Sequence, residues 1–323
     1  MSETAPRIFV EDWSSVYGSP YLVVPDEANG DDVVLVEDGG ELLLHDGDGS
    51  ALGQTAAFVD GVRRGEARLY LVDSGETVSG AAGAHGCGAV VVEPGLRARF
   101  ESCTVRRIVI WGSGMLAQLP AQAGGWAWSA HSIASQDPTG PLIELQQRMR
   151  QAEGELAEQL CEAGHLTVVD GPLNYVRSRD LPVIGLVKTH HRMLLPQELH
   201  ARVPELGPGQ RTSLFRRRED IYSAYLRLAP RSSSSGPWSG IVRIEIPASP
   251  GLAAARKTAD LAAAAFPRFA GVRHLDPRAP QNLQPIGALE RQLRHLLGDA
   301  GLAERAVRSA VAQLSFGVRG ADV

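Results

Sequence analysis

Apolar residues along this chain recur in two periods, and the switches between them mark out the elements. Short runs rich in Val, Ile and Leu, bounded by Gly, Asp or Pro, read as strands: Thr55–Asp60, Ala67–Val72, Gly86–Val92, Arg106–Trp111, Leu166–Asp170, Val183–Lys188, Tyr222–Leu228 and Gly240–Ile246. Between and after them, apolar residues return every three or four positions. The longest such stretch opens at Pro141 and runs to about Ala163, with a stripe of Leu142, Leu145, Met149, Ala152, Leu156 and Leu160. Further helices are predicted over Gly251–Phe266, Pro285–Leu297 and Leu302–Leu314. Ahead of all these, residues 1–50 carry short strands (Tyr21–Val24, Val33–Val36, Glu41–Leu44) separated by Asn-Gly and Asp-Gly turns. Strands alternating with helices predict an α/β fold, a mixed sheet flanked by helices. The Arg231–Pro237 stretch, with four serines, reads as a hairpin loop.

Length and composition narrow the class. A chain of 323 residues fits two domains or one large α/β domain. A hydrophobic content of 44% with mean hydropathy -0.10 suffices for a core and argues against disorder. No apolar run reaches membrane-spanning length, the start lacks a signal-peptide pattern, and the expectation is a soluble cytoplasmic protein. Cys87, Cys103 and Cys161 form no CxxC pair, which disfavours disulfides and structural zinc. The net charge of -5 is unevenly spread: residues 1–140 carry 19 acidic and 8 basic side chains, the remainder 18 and 24. Twelve of the acids lie in the first 50 residues, which read as an acidic lead-in (1–50) to a main domain (51–323). The basic later part suits an anionic partner.

Candidate chemistry gathers on carboxylates. The runs Ala56-Ala-Phe-Val-Asp-Gly61 and Leu166-Thr-Val-Val-Asp-Gly171 each place an aspartate where a strand leaves the core. Hard divalent cations need several oxygen ligands, and strand ends are rigid places to hold them. Asp-Gly equally makes a plain turn, and on pattern alone the two readings stand level. Glu153 falls about 40° from Met149 on the helix that precedes the second run, inside its apolar stripe, whereas Glu144, Glu155, Glu158 and Glu162 fall on the opposite half. An inward carboxylate needs a partner or a metal unless it snorkels to water from the stripe edge. Glu290 is likewise inward on the stripe of Ile286, Leu289, Leu293 and Leu297, while His295 faces out. Lys188 ends its strand, as a phosphate or carboxylate partner or as a snorkelling lysine. The adjacent His190 and His191 diverge, Arg216–Arg218 is a basic run, and the Gly-rich Ser79–Gly88 lacks a P-loop ending.

The stretches Phe58-Val-Asp-Gly61, Val168-Val-Asp-Gly-Pro-Leu173, Gly185-Leu-Val-Lys188 and Pro280-Gln-Asn-Leu-Gln-Pro-Ile286 with Leu289-Glu290 resemble, in order, the motifs of the NurA nuclease family. The resemblance implies an RNase H-like, Piwi-related fold and a Mn²⁺-dependent (or Mg²⁺-dependent) DNA nuclease. It also implies a homodimer working beside a HerA-like hexameric ATPase in DNA-end resection and double-strand break repair. Asp60, Glu153 and Asp170 match its metal-binding acids. Two departures stand out. The family's first motif often reads Asp-Gly-Ser, where this chain has Val62 after Gly61. Its C-terminal motif supplies a tyrosine and a histidine, where this chain places Asn282 and Glu290. Two other readings stand beside the nuclease: a chemically eroded scaffold that binds DNA or the ATPase, and an RNase H-like enzyme acting on RNA.

Overall fold

The computed structural model describes residues 7–10, 33–48, 53–178, 180–190, 193–231 and 235–317. In chain order the strands are β1 (Arg7–Val10), β2 (Val34–Leu35), β3 (Leu44–Asp46), β4 (Ala56–Asp73), β5 (Glu76–Val92), β6 (Arg99–Trp111) and β7 (Ser129–Ser132). After helix α1 (Gly140–Glu162) come β8 (Leu166–Asp170), β9 (Val183–Val187) and the short α2 (Gln197–His200). Then follow β10 (Gln210–Thr212), β11 (Phe215–Arg218), β12 (Ile221–Arg227) and β13 (Ile241–Pro247). Helices α3 (Leu252–Ala265), α4 (Gln284–Leu296) and α5 (Ala300–Gly317) complete the described elements.

All the described strands join one mixed sheet in the order β2-β11-β12-β13-β9-β8-β4-β5-β6-β7, with β1 on β4 and β10 between β12 and β3. The β4–β8, β8–β9 and β6–β7 pairs are parallel and the rest antiparallel. Strands in the parallel middle are covered on both faces, which is why their sequences are nearly continuous apolar runs. Successive residues alternate sides. Phe58 and Val168 pack with Ala259, Ala263 and Ile286 of α3 and α4, whereas Val59 and Val169 pack with Leu156, Ala157 and Leu160 of α1. The sheet is therefore a middle layer, with α1 on one face and α3, α4 and α5 on the other.

α1 forms where the stripe predicts. Pro141 occupies its first turn, where a missing N–H costs nothing. It ends at Gly164, whose φ of +89° suits the left-handed closing position, with His165 N–H donating to Leu160 O. Each large stripe residue it buries contributes about 1.5–3 kcal/mol.

Several boundaries differ from the sequence reading. Thr55–Asp60 and Ala67–Val72 are one 18-residue strand, β4, so Asp60 does not end a strand. A bulge between Gly65 and Ala67 shifts the alternation, turning Ala67, Leu69 and Leu71 toward α5. Ser79–Gly88 lies inside β5. The strand expected at Glu41–Leu44 sits at Leu44–Asp46, and the one at Tyr21–Val24 falls outside the described residues. The described part of the acidic lead-in is stitched into the sheet: β2 pairs with β11 and β3 with β10, and buried Glu37 receives two hydrogen bonds from buried Arg211. Among the described residues, no helix is long and apolar enough to cross a membrane.

Candidate metal centre

The centre forms in a notch of the sheet. β4 and β8 pair through Val59 and Val169, then β8 ends at Asp170 while β4 runs on through Asp60. Asp60 and Asp170 occupy matching positions in the alternation, on the same side as Phe58 and Val168. Glu290 descends on them from α4, and single carboxylate oxygens of Asp60, Asp170 and Glu290 all lie within 4.8 Å of one another. Glu153 arrives from the opposite layer, on α1. It reaches the sheet because position 61 has no side chain: a Cβ on Gly61 would stand 2.6 Å from Glu153 Oε1 and 2.9 Å from Met149 Cγ. Glycine here answers a close approach rather than a turn.

Three cations hold these acids. Arg150 Nη1 donates to Glu153 Oε2 and to the Asp170 carbonyl, both at 2.8 Å, tying α1 to the end of β8. Lys188 Nζ, one residue beyond β9, donates to Asp170 Oδ2 at 2.6 Å and Asn282 Oδ1 at 2.7 Å. Arg278 grips both oxygens of Glu290 and also donates to Asp276. Asn282, wholly buried, passes its amide to Asp276 Oδ2 at 2.6 Å. Burial pushes Asp276 up, but hydrogen bonds from Arg278 and Asn282 outweigh it and hold the carboxyl at about 2.

With those bonds counted, three oxygens are left over. Asp60 Oδ2, Glu153 Oε1 and Asp170 Oδ1 are buried with no hydrogen-bond partner, and among the described residues no other carboxylate oxygen is in that state. An unpaired buried anion is costly. Burial, and then the charges of Asp170 and Glu153, push Asp60 well above the ordinary carboxylate range. Burial also raises Glu153, against the pull of Arg150. Two of these oxygens, on Asp60 and Asp170, belong to acids that converge with Glu290 to within 4.8 Å, a hard-oxygen donor set for a divalent cation such as Mg²⁺ or Mn²⁺, and Glu153 flanks that group from the α1 side. Glu290, although near, has both oxygens committed to Arg278, so the orphaned set is Asp60, Glu153 and Asp170.

The structure thus brings all six candidate residues into one network: four carboxylates, with Lys188 and Asn282 as their supports. Asn282 touches no carboxylate of the centre directly; it acts through Lys188. Reading by sequence alone misses Arg150, Arg278 and Asp276. Arg150 carried a signal, being three residues before Glu153 on the same helix; Arg278 and Asp276 lie in a loop whose pattern gives none. Elsewhere, His295 is exposed, as its helix phase predicts. His190 packs against Trp238 and Tyr225 and its Nε2 bonds the Ile241 carbonyl. A second acidic group, Glu37, Asp38 and His45, is already satisfied by Arg211, Arg256 and Ser213.

No known family profile matches the chain, and no curated protein matches it. Among solved structures, it is similar to the NurA nuclease from Sulfolobus solfataricus, with a TM-score of 0.43 and 10% identity over 84% of this chain and 85% of that one. A likeness at this level does not assign a family.

Proposed function

We propose that the protein is a divalent-metal-dependent nuclease whose ion is held by Asp60, Glu153 and Asp170. The observation that carries this reading is the convergence of Asp60 and Asp170 oxygens with Glu290 in one notch, together with three buried carboxylate oxygens, on Asp60, Glu153 and Asp170, that have no hydrogen-bond partner. A divalent ion bound there supplies an activated water and offsets the charge that develops on a scissile phosphate. The chain's own residues do the rest. Arg150 fixes the Glu153 carboxylate and the end of β8 as one unit. Lys188 neutralises Asp170 and engages its Oδ2, leaving Oδ1 free. Arg278 is about half exposed beyond Glu290 and is placed to meet an incoming phosphate. No protein nucleophile is required.

DNA as the substrate, Mn²⁺ as the preferred ion, a homodimer, and service to a HerA-like ATPase in end resection all rest on the motif resemblance, with the basic surplus after residue 140 as added support. The test incubates purified protein with labelled single-stranded and double-stranded DNA, and matched RNA, with and without Mn²⁺ or Mg²⁺. Degradation of DNA only when metal is present is the expected result. No cleavage under any condition would leave a scaffold, and cleavage confined to RNA would replace the substrate. Co-purification with a hexameric ATPase tests the partnership separately.

A further inference from the structure

Beside Asn282 and Asp276, the sheet, α4 and the loop before it line an open cavity of about 430 Å³, within the size range of small-ligand sites. Its walls are mostly apolar: Phe100, Phe269, Leu275 and Leu283 are prominent. Phe269 is a fixed wall, because its ring meets the buried Phe58 ring edge-on at 5.0 Å. Phe100 and Leu275 stay 48% and 65% exposed, far more than their size requires in a surface with a neighbour to pack on. Two arginines, Arg268 and Arg291, stand at the lining, and neither has an ion-pair or hydrogen-bond partner among the described residues. Apolar walls with unpaired cations at the rim complement a flat aromatic group attached to anions. Asn282 lines this cavity and also bonds Lys188, which bonds Asp170, so the cavity and the carboxylate centre share one wall.

We infer that this cavity takes an unstacked base of a single-stranded DNA substrate, with Phe100 as the stacking face and Arg268 and Arg291 on the adjoining phosphates. The inference rests on the nuclease reading for the identity of the strand, but not on turnover. Base stacking on an aromatic side chain is sequence-tolerant and lifts affinity roughly five- to 150-fold per base. A strand splayed by one base at this wall is thereby indexed against the notch, two side chains away through Asn282 and Lys188.

The test measures binding in EDTA by fluorescence anisotropy, so that no cleavage enters. Two probes are compared: a labelled oligothymidine and an oligonucleotide of equal length built from abasic units, which keeps the phosphates and removes the bases. The wild-type chain is expected to bind the base-bearing strand at least fivefold more tightly. Phe100→Ala and Leu275→Ala, both at exposed positions that spare the core, should erase most of that preference. Arg291→Gln should weaken both probes alike and flatten the salt dependence by about one unit of logarithmic slope. Equal affinity for the two probes in the wild type, no strand binding, or a preference untouched by Phe100→Ala and Leu275→Ala would overturn the cavity's role. Cleavage without base preference would leave the nuclease reading standing alone, and base preference without cleavage the reverse.

Discussion

Replacing Asp60 by Asn should make the metal-free protein more stable and the metal-loaded protein less so. In the folded chain a carboxylate oxygen of Asp60 lies within 4.8 Å of one on Asp170, and of these two acids Lys188 is bonded to Asp170. With an effective dielectric of about 20, two unit charges at that distance repel by roughly 3 kcal/mol, an amount that Lys188 partly offsets. Asparagine keeps the shape and removes the charge, so a net gain of about 1–3 kcal/mol near neutral pH is expected. The pH profile gives a second handle. The Asp60 carboxyl is raised in the folded state above its ordinary 3.8, so the folded chain holds this proton more tightly than the unfolded chain. Its stability contribution is fully present below 3.8 and is lost as pH climbs through the raised value, by up to about 1.4 kcal/mol per pH unit. Thermal and urea unfolding of both proteins in EDTA between pH 4 and 8, repeated with excess Mn²⁺, is the assay. Wild type should lose stability as pH rises and recover it with metal, which binds the folded form alone. Asp60→Asn should lack both effects. An Asn variant that unfolds more easily than wild type in EDTA, or that gains as much from Mn²⁺, would refute the charge-repulsion account of the centre.

Other perturbations separate the helix-borne groups. Glu153→Gln should cost orders of magnitude in cleavage rate and Glu155→Gln almost nothing, as read from initial rates on labelled DNA. Glu158→Gln should leave the rate intact but cost about 1 kcal/mol of stability, because Glu158 is not merely solvated: its Oε1 accepts the backbone N–H groups of Arg177 and Ser178. Arg150→Gln should weaken Mn²⁺ binding in calorimetry as well as cleavage, with Arg150→Lys restoring part of both, since it aligns Glu153 with the end of β8. Burial holds the His85 imidazole down at about 4, so its contribution is present above 6.5 and lost as pH falls toward 4. His85→Gln should flatten that acid limb of the unfolding profile.

The helices and the parallel strands were legible because one surface of each is committed to the core. The stripe from Leu142 to Leu160 places α1 to within a residue at each end, and it places Glu153 inside and Glu155 outside. What eluded the pattern was set by contacts made far along the chain. Asp60-Gly61 looks like a turn, yet the strand continues, and the glycine is there because Glu153 needs the space. The first half of β5, ahead of the strand expected at Gly86–Val92, gave no strand signal because it is rich in glycine, and for a similar reason: Cβ atoms on Gly80 and Gly83 would collide with Trp111 and Leu145. Arg278 left no trace, since its value lies in meeting Glu290, twelve residues on, across a loop whose shape no periodicity encodes.

The notch between β4 and β8 has a consequence for how the protein comes into being. Its acids come from α1 on one face and α4 on the other as well as from the sheet, and they are spread from position 60 to position 290. A ribosome must release most of the chain before Glu290 and Arg278 can reach Asp60. Until then the acids sit apart and solvated, and a nascent chain has no place to concentrate a reactive ion. On the proposed metal reading, an ion retained by the protein would report that both helical layers have docked.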